Sequence, residues 1–257
     1  MNETIRTAVW LGVAALQAVL AFGFVTRAGW AIGLWPWDEG RLSYLFLGSV
    51  LAALAAGGAL VVWRQSWRGA LPSLIAVAAV FGGLGVECAR LWVGGEVAAG
   101  AFALACLATA LGAVVLSLDV ARLPTAGQRR LAALPRLSCA VFSLALIGAG
   151  VALLAGAPHV FPWPLSPQTA RLFGLVFLGL SLSYGLTALW GGHESGLVAL
   201  AGFLVYDLIL LPPFIAHFAG VAPERLLSLT LYVAVLVYSA VLAVWVLVRA
   251  GHPARTE

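Results

Sequence analysis

The chain has 257 residues, 63% of them hydrophobic and only 9% charged, with a mean hydropathy of +1.04. That composition excludes a water-soluble globule, a disordered tail and a nucleic-acid-binding domain, although the formal net charge is +4. All 14 basic residues are arginine, which removes lysine chemistry as well: no Schiff base and no phosphate-gripping Walker lysine.

The solvent for such a chain is lipid. A hydrocarbon core about 30 Å thick is crossed by about 20 apolar residues in a helix. In chain order, segments 7–26, 42–63, 69–86, 97–118, 137–158, 172–190 and 226–248 carry no Asp, Glu, Lys, Arg or His, while an eighth, 196–218, contains Asp207. The third is expected to continue to Val93, taking in Glu87 and Arg90. The first is read as retained and not as a signal peptide: it lacks an Ala-x-Ala site and feeds directly into further spans. The longest connection, 119–136, carries Asp119, Arg122, Arg129, Arg130 and Arg136, too little for an extramembrane domain. The expected fold class is all-α, an integral membrane bundle of eight transmembrane helices in a single domain over 1–257.

Positively charged loops stay on the cytoplasmic side. With the N-terminus inside, that side holds Arg6, Arg64, Arg68, Arg122, Arg129, Arg130, Arg136, Arg249 and Arg255, against Arg27, Arg41, Arg90, Arg171 and Arg225 opposite. The expectation is a bacterial cytoplasmic membrane protein with both termini inside.

An internal repeat organises the spans. At an offset of 126, Trp35-Pro36-Trp37 matches Phe161-Pro162-Trp163, Ser43 matches Thr169 and Gly48 matches Gly174; after a one-residue slip, Gly58 matches Gly185, Trp63 matches Trp190 and Gly69 matches Gly196. Repeat one would cover about 1–130 and repeat two about 131–257. With an even number of spans in each, the two repeats share one orientation: a tandem parallel duplication of four spans.

The Pro-Trp segments precede the second and sixth spans on the outer side. Tryptophan favours that depth and proline limits helix continuation, so both read as interfacial anchors, with a gating lid as the alternative. The run Phe161-Pro162-Trp163-Pro164-Leu165-Ser166-Pro167-Gln168-Thr169-Ala170-Arg171 resembles a segment of multi-pass bacterial membrane proteins to which no activity is attached. The first copy departs from it beyond Trp37, and the resemblance implies no site residues. Glycines at helical spacing, Gly48, Gly82, Gly83, Gly85, Gly148 and Gly150 among them, predict close helix contacts.

Asp207 is the residue that most needs a reason. A carboxylate near the midplane costs a few kcal/mol even on lenient insertion scales. It predicts either proton or cation binding, or a neutral acid used for a helix-to-helix hydrogen bond. Pro212 and Pro213 follow it, strip two backbone donors and crowd the carbonyls of Leu208 and Ile209, so a kink is expected there. Gln17, Tyr184, Tyr238 and Ser239 lie at similar depth as candidate partners. At an offset of 127 Asp207 falls opposite Val80, so the acid belongs to the second half alone. Glu87 and Arg90, three residues apart, suit an ion pair. Arg90 and His217 share an outer depth at which an anionic lipid or substrate could be met. The histidines give no His-x-x-x-His spacing, leaving an outer His159, His217 and Glu224 set as the remote metal option. Cys88, Cys106 and Cys139 read as small buried residues. No metal and no cofactor is called for by these residues.

Three classes of function follow. An accessory or scaffold component of the membrane fits the sparse polar inventory; its partners would be the lipid bilayer and another membrane protein, not nucleic acid. A transporter or ion-binding protein using Asp207 is the second. A membrane-embedded enzyme is the third, without a recognisable catalytic set.

Overall fold

Within lipid the backbone must satisfy its own hydrogen bonds inside each crossing, and a helix does so. The computed structural model describes residues 1–124 and 129–251, and eight of its helices are long and apolar enough to cross a membrane. They are α1 (Glu3–Val25), α3 (Arg41–Arg64), α4 (Leu71–Val93), α5 (Val97–Ala121), α6 (Ala133–Leu154), α7 (Pro167–Trp190), α8 (His193–His217) and α9 (Leu226–Gly251). The short α2 (Gly29–Ile32) lies in the connection between α1 and α3 and was not foreseen. The third span does run on to Val93. His252 and Arg255 lie outside the described residues.

Local chemistry sets the ends. The Asn2 side chain accepts from the Ile5 amide at 2.9 Å, and Ser166 Oγ from the Thr169 amide at 3.2 Å with Pro167 at the first turn, each occupying an orphan donor. Helices α3 and α7 both contain 24 residues, and both end on a left-handed residue, Gln65 (φ 52°) and Gly191 (φ 63°). Glycine is at ease there, whereas Gln65 bears a steric cost and returns its Nε2 to the Val62 carbonyl at 2.7 Å.

Packing forms two rows. One runs α1, α3, α8, α9 and the other α5, α4, α7, α6. Phe46 on α3 joins them, 4.6 Å from Phe173 and 5.6 Å from Phe177 on α7, centroid to centroid. Within the rows, glycines let backbones touch. A Cβ on Gly174 would stand 3.0 Å from the Gly150 carbonyl of α6, one on Gly202 would stand 3.0 Å from the Ala53 carbonyl of α3, and one on Gly48 would stand 3.0 Å from the Ala21 carbonyl of α1. Lipid supplies no hydrophobic drive between helices, so such close contact is what holds them.

The end that bears most arginines is fastened by them. Arg6 and the N-terminal amine both reach Asp119 at 2.9 Å, and Arg64 meets Glu194 through two bonds of 3.0 Å. Arg68 donates to the Ala121 and Leu123 carbonyls at 2.6 Å, and Arg136 to the Ala188 carbonyl at 2.7 Å. Cations at helix C-termini satisfy orphan carbonyls and oppose the helix dipole.

The Pro-Trp segments are not the interfacial belt expected of them. Trp35, Phe161 and Trp163 are 6%, 2% and 4% exposed, because each segment folds inward between helices. Trp35 packs on Phe173 of the second half and Phe161 on Phe46 of the first. Exposed tryptophans at the helix ends are instead Trp30, Trp63, Trp92 and Trp190.

Candidate functional site

Asp207 lies near the middle of the 25-residue α8 and is fully buried. Neither carboxyl oxygen has a hydrogen-bond partner or solvent contact. Buried polar atoms are almost always paired, and those that are not call for an explanation. Around the carboxyl the helices supply phenols and a hydroxyl. Tyr184 on α7, Tyr206 on α8, and Tyr232 on α9 stand within its electrostatic range. Ser239 on α9 stands closer, at the margin of hydrogen-bonding reach of the carboxyl, while its hydroxyl donates to the Val235 and Leu236 carbonyls of its own helix at 2.7 and 3.2 Å. Tyr206 and Tyr232 hydrogen-bond one another at 2.5 Å.

Aromatic rings enclose this cluster on both sides. Toward the arginine-rich end, Phe203 stacks on Tyr184 at 4.6 Å and meets Phe142 at 4.8 Å. Toward the opposite end, Phe214 and Phe161 lie 5.1 and 6.1 Å from Tyr232, and Trp163 lies 5.5 Å from Phe214.

Of the residues singled out in the sequence, the structure brings Tyr184 and Ser239 to Asp207 and not the others. Tyr238, 47% exposed, turns away from it to bond Ser138 on α6 at 2.7 Å, because it and Ser239 point along directions about 100° apart on one helix. No hydrogen bond joins Gln17, on α1, to the carboxyl. Helix α8 continues unbroken through Pro212 and Pro213 to His217. Glu87 and Arg90 form the two-bond pair that their spacing predicts, at 2.6 and 2.9 Å, with Arg171 at 4.0 Å. His217 Nε2 lies 3.1 Å from the Pro162 carbonyl. His159, His217 and Glu224 form no metal set, and no group of three or more His, Cys, Asp or Glu able to hold a metal occurs among the described residues. The three cysteines are free and buried.

Two residues of the cluster escaped the sequence reading. Tyr206 is the immediate neighbour of Asp207, and Tyr232 lies seven residues, two helical turns, before Ser239 and therefore on the same face. No protein-family model matches the chain, and no characterised protein or solved structure is significantly similar to it.

Proposed function

We propose that this multi-pass membrane protein is a proton-coupled transporter in which the Asp207 carboxyl is the exchangeable proton site. The observation that carries the proposal is the pair of unpartnered oxygens at mid-depth. A carboxyl kept for architecture would be hydrogen-bonded across helices, and a carboxylate without a partner would be costlier still. A metal cation in place of the proton would need several oxygen ligands. No group of three or more His, Cys, Asp or Glu able to hold a metal occurs around Asp207 among the described residues, so the proton is the occupant this surrounding suits.

Infrared difference spectroscopy on protein in lipid tests this. The expected result is a carboxylic-acid carbonyl band that titrates with pH and disappears in Asp207→Asn, with loss of proton-driven uptake. A band that is absent in the wild type, or that ignores pH while the bundle stays folded, would overturn the proposal.

The accessory or scaffold role is the second reading. Gly12, Gly112 and Gly148 have open space where a Cβ would go, as helix faces awaiting a partner would. Stoichiometric recovery of another membrane protein in mild detergent supports that reading, and a monodisperse monomer with intact proton exchange removes it.

The proposed setting is a bacterial cytoplasmic membrane with both termini inside, supported by the arginine-rich end that gathers Arg6, Arg64, Arg68 and Arg136. Reporter fusions at either terminus are expected to be active only in the cytoplasm; opposite locations would refute the topology. The bundle is also read as a tandem duplication. Exchanging α1, α3, α4, α5 for α6, α7, α8, α9 turns each row of helices into the other. The capping residues of α3 and α7, Gln65 and Gly191, stand 126 apart, the offset of the Pro-Trp match and one short of the 127 that pairs Trp63 with Trp190. Gly179 on α7 touches Val80 on α4 as Gly202 on α8 touches Ala53 on α3. That register sets Val80 opposite Gly202 and Asp207 opposite Gly85, in place of the Val80 match expected from an offset of 127.

A further inference from the structure

The two outer connections that carry the Pro-Trp segments differ in how they are held. In the first half, α2 and its flanks are fixed by backbone bonds, the Ala31, Gly33, Leu34 and Trp35 amides donating to the carbonyls of Ala28, Gly29, Ala31 and Ile32, and the stretch that follows by two side-chain bonds, Trp37 Nε1 donating to Glu96 at 3.1 Å and the Glu39 amide to the Tyr44 hydroxyl at 3.3 Å. In the second half, segment 159–166 forms no helix, and its carbonyls are held by side chains from the end of α8, from Arg225 just before α9 and from the start of α9. Arg225 donates to the Phe161 and Trp163 carbonyls at 2.9 and 3.0 Å. His217 bonds the Pro162 carbonyl at 3.1 Å, and Ser228 donates to the His159 carbonyl. Two further bonds tie the segment to the first half: Trp163 Nε1 donates to Ser43 Oγ at 3.0 Å, and Ser166 Oγ to Glu39 at 2.8 Å.

Segment 159–166 packs on the aromatic rings that flank the acid. Its Phe161 and Trp163 rings rest on Tyr232 and Phe214, which close the route from Asp207 to the outer face. Ten residues of α8, about 15 Å, separate Asp207 from His217 at that face. Toward the cytoplasmic end the distance to His193 is about 21 Å, and Leu197, Leu200 and Phe203 of α8 interlock there with Phe142, Leu242 and Val246 on regular helices. Opening that side means separating whole helices, whereas opening the outer side means releasing six hydrogen bonds and withdrawing the Phe161 and Trp163 rings from the core cluster, with the helices left in place.

We infer that segment 159–166 is the outer gate of the Asp207 site, latched by Arg225 and His217, and that the carboxyl exchanges its proton with water on the outer face. This rests on the reading of Asp207 as an exchangeable site. Arg225 is a positioning residue: it touches only the backbone of the gate.

The test is the rate at which a water-soluble carbodiimide with an added amine modifies Asp207 in sealed proteoliposomes of known orientation, quantified by mass spectrometry. Arg225→Met removes the fork that grips two carbonyls, and Trp163→Ala shortens the plug. Losing hydrogen bonds to a charged donor should raise outer-face labelling about tenfold or more over the wild type, with cytoplasmic-face labelling unchanged. Arg225→Met alone is sufficient if Trp163→Ala fails to fold. An unchanged outer rate in a folded Arg225→Met variant would overturn the gate, as would equal acceleration from both faces. Labelling reads access to the carboxyl whether or not proton exchange drives transport, so failure of the gate is distinguishable from failure of the infrared titration.

Discussion

Replacing Gly179 by leucine is expected to abolish the folded bundle. A Cβ at that position would lie 2.3 Å from the Val80 Cγ2, 2.8 Å from the Val80 amide nitrogen and 3.0 Å from its Cα. The obstacle is backbone, which cannot rotate aside, so α4 and α7 would have to separate along one of the contacts that join the two halves. Overpacking of a yielding site costs about 1–3 kcal/mol, and this one belongs at or above the top of that range. The control is Gly148→Leu, where nothing lies within 4 Å of the added carbon; a change within about 0.5 kcal/mol is expected. Melting in detergent and the monodisperse fraction on size exclusion measure both. A Gly179→Leu protein that melts with the wild type would show that the helices do not approach as described.

Asp207→Val should do the reverse and raise stability while abolishing activity. An unpartnered polar group inside an apolar surrounding costs about 1–3 kcal/mol on mutational scales, and an apolar residue of nearly equal bulk removes that cost. Valine is somewhat larger, and the added strain offsets part of the gain. A net increase of about 1–2 kcal/mol is expected, seen as a higher melting temperature with no proton-driven uptake. A functional residue retained at the expense of stability behaves this way. If Asp207→Val melts well below the wild type, the carboxyl is an architectural hydrogen-bonding group and the transport reading falls with it.

The crossings were legible because a helix in lipid is written in composition alone: an uncharged run of sufficient length has no alternative conformation. Even the extension of α4 through Glu87 and Arg90 followed from composition, since Leu91, Trp92 and Val93 beyond them still suit a membrane interface, and the two opposite charges three residues apart pair on one face. Asp207 stood out for the same energetic reason. Its partners did not, because facing depends on helix rotation: Tyr238 and Ser239 are adjacent, yet one bonds Ser138 on α6 and the other approaches Asp207. Tryptophan beside proline misled for a related reason. Its amphipathic ring suits the interface equally with a protein interior that offers an acceptor, and Ser43 provides one to Trp163. Arg225, counted in the sequence only as an outer charge, grips two carbonyls of the folded segment, a role visible only once that segment has a shape.

The interlocking of the halves has a consequence for biosynthesis. Gly57 of α3 abuts Val198 of α8, and Phe46 rests on Phe161, yet each second partner is translated more than a hundred residues after the first. At about 5–20 residues per second, the opening quartet of helices waits roughly 5–30 s beside the translocation machinery with its mating surfaces bare. During that interval lipid or an insertion chaperone must shelter those grooves, and a ribosome stalled in the connection would strand a half-built bundle for quality-control proteolysis.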